Sequence, residues 1–395
     1  MKLLQMTVDG LPLFKDTLKI DFWAMQRVSS SETDSLFSIS PNLYINCVNA
    51  FVGINASGKT SVLNTIIFAI NLLQNEPINH ISTKFILGES PEIVFKLVFS
   101  TKAKKICLLE THIVSTKDNL GNIVYSISYE TLKEKSILKS SNKKQILDFS
   151  NVIPFLDRNT NINEQNFLAD DMSIIIAYNK NSQDVIEAIE MLFLTDINII
   201  PYAHIQFPSE ILEFLDSSIA RINITGENPE KDSFHIVFKN GKEFIVQKQS
   251  DLNRYLSSGT IKGITMFMAI ISVLMDGGYL VVDELENHFN KEIVATVMRF
   301  FMDPKINQKG AVLIYSTHYP ELLDEHKRND SIFITKNTDG IIIENLSESL
   351  KRNDIKKSDA FQSGYLDGTA PSYNSYIKLK NYIKSFMGDS SATTM

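Results

Sequence analysis

Cysteine is nearly absent from this chain. Only Cys47 and Cys107 occur in 395 residues, at unrelated positions. That excludes a disulfide framework and predicts a reducing compartment, with Cys47 read as core packing. Excess positive charge is also missing: 39 Lys and Arg against 46 Asp and Glu give a net charge of −7. A generally basic nucleic-acid binder is therefore not indicated, although a local patch could survive that balance. No charge-free run reaches the length of a membrane span, and the stretch from Gly263 to Met275 is too short. Asp9, Lys15 and Asp16 interrupt the N-terminal region before a signal-peptide pattern can form. Together these absences predict a soluble, cytoplasmic protein without a membrane partner. Sustained heptads are lacking too, which excludes a long coiled-coil rod. What remains is an ordinary globular composition, 44% apolar and 22% charged, in a chain long enough to bury a sizeable core.

Against that plain background four short strings stand out in order. Gly53 to Thr60 reads GINASGKT, which matches the phosphate-binding loop pattern G-x-x-x-x-G-K-[ST]. The β-branched and aromatic run Tyr44 to Val52 predicts a strand before it, and the apolar run Ser61 to Leu73 a buried helix after it. Strand, loop and helix are the context this pattern requires. Gly53 and Gly58 let backbone N–H groups approach phosphates, and the helix N-terminus adds its own donors. Lys59 is expected to reach the β- and γ-phosphates, and the Thr60 hydroxyl to ligate Mg²⁺. The predicted nucleotide contacts are Gly53, Asn55, Ala56, Ser57, Gly58, Lys59, Thr60 and Ser61.

The strand Leu280 to Val282 ends in Asp283 and Glu284, the first suited to holding Mg²⁺ and the second to orienting and deprotonating a water. Another apolar strand, Val312 to Thr317, ends in His318, 34 residues after Glu284, with a helix predicted between them over Lys291 to Met302. His318 could hydrogen-bond a γ-phosphate. The remaining string, Leu256 to Gly259, comes second along the chain, between the loop and the Asp283 strand; it places Ser258 and Gly259 at the head of an apolar helical run, where an anion site can form. Each string has a plainer reading in isolation: a glycine turn, a solvated strand end, an exposed histidine, a serine turn. All four in this order predict an ATP hydrolase using ATP and Mg²⁺, with Lys59, Glu284 and His318 as catalytic residues.

These residues resemble the ABC-class ATPases related to the SMC, RecF and OLD proteins. The run Asp283 to Asn290, DELENHFN, is similar to that group's Walker B continuation, and Met1 to Lys15 to its first strand and F-K turn. Stand-alone bacterial defence ATPases of the RloA and AbiL type are the nearest resemblance, supported by the tail from Ser358 to Tyr373. It implies an α/β P-loop NTPase fold: an ABC-type ATPase head with a mixed sheet, flanking helices and an α+β insertion between Walker A and signature. It also implies a homodimer closed through ATP, with Ser258 and Gly259 facing the nucleotide of the second subunit and higher oligomers left open. Hydrolysis would switch a separate effector protein, a nuclease for example, in anti-phage defence. Two departures matter. No glutamine sits in a clear Q-loop context, Gln74 and Gln145 included. No Asp-x-Asp pair follows His318, so the nuclease domain of OLD proteins is not expected. A RecF-like DNA-repair ATPase, a transporter's nucleotide-binding subunit and a structural ATP ligand are the alternatives.

The expected organisation is a Walker A lobe over 1–100, an insertion over 101–230, a second ATPase lobe over 231–345 and an extension over 346–395. Leu3 to Val8 and Leu18 to Trp23 predict a strand pair, and Glu92 to Ser100 an edge strand. Lys105 to Val114 and Ile123 to Leu132 read as strands, Asp184 to Leu194 and Ser209 to Arg221 as helices. Ser29 to Asp34 reads as a surface loop, and Phe234 to Val246 as a hairpin turning at Asn240-Gly241. Lys133, Lys135, Lys139, Lys143 and Lys144 form a cluster better read as a solvated face than as a nucleic-acid track, because aromatic interleaving is sparse.

Overall fold

The computed structural model describes residues 1–137, 141–160, 168–182, 184–192, 207–225, 233–287, 289–352, 354–363 and 373–388. Its strands are β1 (Lys2–Asp9), β2 (Leu18–Asp21), β3 (Leu36–Ser40), β4 (Leu43–Asn46), β5 (Val48–Val52), β6 (Ile93–Ser100), β7 (Lys105–Lys117), β8 (Ile123–Ser136) and β9 (Pro154–Asp157). After these come β10 (Ala188–Met191), β11 (Ile219–Thr225), β12 (Ser233–Phe238), β13 (Glu243–Val246), β14 (Tyr279–Val282), β15 (Val312–Thr317), β16 (Ile332–Asn337) and β17 (Ile341–Asn345). Four helices frame the argument: α1 (Lys59–Leu73), α2 (Ser209–Leu215), α3 (Ser258–Asp276) and α4 (Lys291–Met302).

The layer that positions the site is a six-stranded sheet in the order β10-β14-β15-β5-β16-β17, parallel except for the last pair. Strands β5, β14 and β15 are buried at every residue, as expected of parallel strands covered on both faces. Their side chains alternate between two cores. Phe51, Tyr279, Val281, Val312 and Ile314 face α1 and the neighbouring antiparallel sheet. Val48, Ala50, Val52, Leu280, Val282, Leu313 and Tyr315 face α3 and α4. The antiparallel sheet, ordered β2-β1-β6-β7-β8-β9, closes over the far side of α1, where Phe68 meets Phe95 with ring centroids 5.0 Å apart. Helix α1 is therefore clad in apolar contacts nearly all round, which explains a sequence with no polar face. Helix α3 is long and apolar enough to cross a membrane by length and composition, but it is largely buried, as a core helix is. A third core joins α2 and the start of α3 to the small sheet β11-β12-β13.

Several expectations need correction. The single strand expected over Tyr44 to Val52 is two: β4 pairs with β3, and the chain changes sheet at Cys47. Glu92 to Ser100 is not an edge, because β6 lies between β1 and β7. Asp184 to Leu194 is not a helix where described: residues 188–191 pair in parallel with β14, and Phe193 and Leu194 lie outside the described residues. The helix expected over Ser209 to Arg221 stops at Leu215. There Asp216 turns the chain by accepting from the Ser218 N–H and hydroxyl, and β11 begins at Ile219. Strands from the 101–230 stretch enter all three of these sheets: β7, β8 and β9 the antiparallel one, β10 the parallel one and β11 the small one. The hairpin at Asn240-Gly241 is present, with Gly241 at φ +83°.

The loop expected at Ser29 to Asp34 is anchored. The Arg328 side chain, almost wholly buried, pairs with Asp330 at 2.5 Å and Glu32 at 3.1 Å, and donates to the Gln26 and Arg27 carbonyls. Lys135 and Lys143 of the lysine cluster are likewise spent on backbone carbonyls, Lys143 on Ala24 at 2.5 Å. Lys139 and residues 364–372 of the tail lie outside the described residues.

Candidate active site

Parallel strands deliver their C-terminal ends to one edge, and a cleft of about 410 Å³ opens there. Its floor is the loop between β5 and α1. Gly53 is packed so closely that a Cβ would lie 2.4 Å from Ser57 Oγ and 2.5 Å from the Thr335 carbonyl oxygen. Gly58 sits at φ +98°, and a Cβ there would meet the Ile341 side chain at 2.6 Å. The loop is also held from outside: Ser57 Oγ lies 2.7 Å from Thr335 Oγ1, and Asn337 donates to the Ala56 carbonyl at 3.2 Å. Lys59 Nζ donates to the Gly53 carbonyl at 3.0 Å and to that of Ile54 at 3.2 Å, and lies 3.3 Å from His318 Nδ1. Burial pulls the Lys59 ammonium below the usual lysine range, while the charges of Asp283, Glu284 and Glu286 oppose that fall.

Three separate segments converge on this loop. Asp283, where β14 ends, accepts from the Thr60 hydroxyl at 2.6 Å through Oδ2, and from Ser316 through Oδ1. Glu284 follows in a left-handed conformation, φ +50°, unusual for a side chain of its kind. Its Oε1 lies 3.2 Å from His318 Nε2, and its backbone N–H donates to Ser316 Oγ at 2.8 Å. The His318 N–H is taken by Glu286 Oε1 at 2.7 Å. Leu13, Asn337 and Ile341 complete the lining with the loop residues Asn55 to Ser61, Glu284 and His318.

The sequence model of the family described as "AAA domain, putative AbiEii toxin, Type IV TA system" matches residues 48–324, from β5 past His318. The chain belongs to this family. It is an AAA-domain P-loop ATPase. Solved structures similar to it are remote. The recombination mediator protein RecF with ATP, of the RecFOR pathway, shares 12% identity over 87% of this chain and 97% of that one, with a TM-score of 0.38. CbiO1 of Clostridium perfringens, part of the ABC transporter complex cbiONQ, shares 12% over 93% and 96%, with a TM-score of 0.30. No curated protein matches the chain.

The family implies a bound nucleotide, usually with Mg²⁺, and the donor set of this AAA-domain ATPase fits. Mg²⁺ keeps several waters and is held through one or two protein oxygens plus phosphates. Thr60 Oγ1 and Asp283 Oδ2, side by side at the loop, supply such a pair. Among the described residues no cluster of three or more His, Cys, Asp or Glu could hold a metal unaided.

The sequence-predicted residues divide in two. Asn55 to Ser61, Glu284 and His318 line the cleft and Asp283 is bonded to Thr60 there, while Gly53 does not line it and only its carbonyl is tied in, through Lys59. Ser258 and Gly259 do not line it. They open α3, where Ser257, not Ser258, caps the helix by accepting from the Thr260 N–H at 3.0 Å. Gln74 donates to the Ile186 carbonyl, and Gln145 closes a capping box on a short helix, so neither faces the cleft. Sequence reasoning missed the roles of Ser316, Glu286, Thr335 and Asn337. Ser316 and Glu286 stood inside motif strings already singled out; Thr335 and Asn337 carried no local signal.

Proposed function

We propose that this ATPase is a Mg²⁺-dependent ATP hydrolase that works as a dimeric switch for a separate effector. The observation that carries the reading is the convergence of the phosphate-binding loop with Asp283, Glu284 and His318 on one cleft. Backbone N–H groups of Gly53 to Ser61 and the first turn of α1 bind the phosphates, and Lys59 leaves its loop carbonyls for the β- and γ-phosphates. Thr60 and Asp283 would hold the metal, which would supply positive charge against the charge that develops on the phosphates. Glu284 orients the attacking water and accepts its proton, and His318, within reach of both Glu284 and Lys59, hydrogen-bonds the γ-phosphate.

Ser258 and Gly259 lie away from the cleft of their own chain, which supports their serving the nucleotide of a second copy. The anion site at the head of α3 then completes the other subunit's centre, and turnover opens the pair. The family description supports a role in defence, as does the sequence resemblance to RloA- and AbiL-type ATPases, with the effector a separate protein.

The test is the ATP turnover of purified protein with and without duplex DNA, beside a Glu284→Gln variant. Turnover lost in the variant and indifferent to DNA supports the switch. Strong DNA stimulation would transfer the reading to a nucleic-acid sensor. Turnover untouched by Glu284→Gln would refute the assigned base.

A further inference from the structure

Ser316 has no part in the roles assigned above, yet it holds more of the catalytic edge than any residue of the loop. It is fully buried in β15, two residues before His318. Its hydroxyl has one hydrogen, given to Asp283 Oδ1, and it accepts the Glu284 backbone N–H at 2.8 Å. Its carbonyl accepts the Leu285 N–H at 3.1 Å. One residue thereby fixes three consecutive residues at the end of the neighbouring strand.

The consequences differ for the two acids. With Oδ1 taken by Ser316, Asp283 presents Oδ2 to Thr60 and cannot rotate away from it. Glu284 sits at φ +50°, a conformation its side chain disfavours and that surrounding contacts must impose. The hydrogen bond to Ser316 Oγ is such a contact, applied at the strained residue itself. The return tie runs the other way, from the His318 N–H to Glu286. The ends of β14 and β15 are thus clasped twice, and Ser316 is the member that holds the Asp283 carboxylate and the backbone from which the Glu284 side chain projects.

We infer that Ser316 is a positioning residue for hydrolysis, acting through Asp283 and Glu284 without touching the nucleotide. This rests on the ATPase reading. Removing the hydroxyl leaves the phosphate-binding loop intact, so binding should persist while the water-activating geometry relaxes. A displacement of about 1 Å at such a centre lowers turnover on the order of a hundredfold.

The experiment compares steady-state ATP turnover of the wild type, Ser316→Ala, Glu284→Gln and the double variant, with a fluorescent ATP analogue titrated into each to report folding and binding. Ser316→Ala should lower kcat about tenfold to a hundredfold with KM within about threefold. Added to Glu284→Gln, it should lower the residual rate by less than it lowers the wild type, because the part of its effect that passes through the Glu284 carboxylate is already gone while the part through Asp283 remains. Equal losses in both backgrounds, or a rise in KM that accounts for the whole loss, would overturn the assignment. If the alanine chain does not bind the analogue, Ser316→Thr decides: near-wild-type kcat supports the hydroxyl's role, and lost kcat with normal binding overturns it. A wild type without Glu284-dependent turnover sinks the ATPase reading and this assignment with it. Full turnover in Ser316→Ala sinks this assignment alone.

Discussion

If the left-handed backbone of Glu284 is imposed by its surroundings, glycine should be more stable than alanine at that position. At ordinary loop positions the order is reversed, since glycine loses more freedom on folding. At φ +50° an L side chain is penalised by about 1–2 kcal/mol, while glycine's extra unfolded-state entropy costs it about 0.5–1 kcal/mol. The balance favours Glu284→Gly over Glu284→Ala by roughly 0.5–1 kcal/mol. Both variants lose the same half-exposed carboxylate and its contact with His318, so their difference isolates the backbone. With a urea slope near 3 kcal/mol per molar, the glycine midpoint should lie about 0.2–0.3 M higher. The single tryptophan, Trp23, offers a fluorescence probe. An alanine variant as stable as the glycine one, or more so, would refute the strained geometry and with it the argument for the clasp.

Two further outcomes follow from buried charge. His326 is enclosed between Tyr315 and Ser331, and burial pulls its imidazole down to about 3. Its folded pKa lies below the unfolded one, so the stabilising neutral form is fully favoured above about pH 6.5 and increasingly penalised as pH falls toward 3. From pH 7 to pH 5 this group should remove about 2 kcal/mol, seen as a drop in the urea midpoint that His326→Gln lacks. Replacing Arg328 by Met would strand the buried Asp330 carboxylate and free the Glu32 loop, at a cost of about 3–5 kcal/mol. Urea unfolding measures the loss, and KM for ATP should not change, because Arg328 lies outside the cleft.

The candidate site was legible in the sequence because the residues that form it stand in short strings. A glycine loop between strand and helix, an acid pair after a buried strand and a histidine after another each carry their context within a dozen residues. Strand pairing is different. Glu92 to Ser100 was visible as a strand, but nothing within it says that β1 and β7 will cover both edges. Residues 185–192 carry apolar side chains at spacings that serve a helix as well as a strand, and parallel pairing with β14 decides the outcome. Ser316 was legible as part of a string but not as a hub. Its partners are 31 to 33 positions away, and the register of β14 against β15 brings them together.

The order of the central sheet has a consequence for the nascent chain. The antiparallel sheet can be completed once residue 157 has emerged, since all its strands lie before that point. Strand β5 is made early, but both its neighbours, β15 and β16, begin only at Val312 and Ile332. At about 5–20 residues per second, translation leaves β5 waiting on the order of tens of seconds with both hydrogen-bonding edges open. Its five residues are all apolar or amide-bearing and end up wholly buried, so this interval exposes the chain to aggregation. A ribosome stalled before Val312 would release a chain with a finished outer sheet, an unpaired inner strand and a phosphate-binding loop that has nothing to close against.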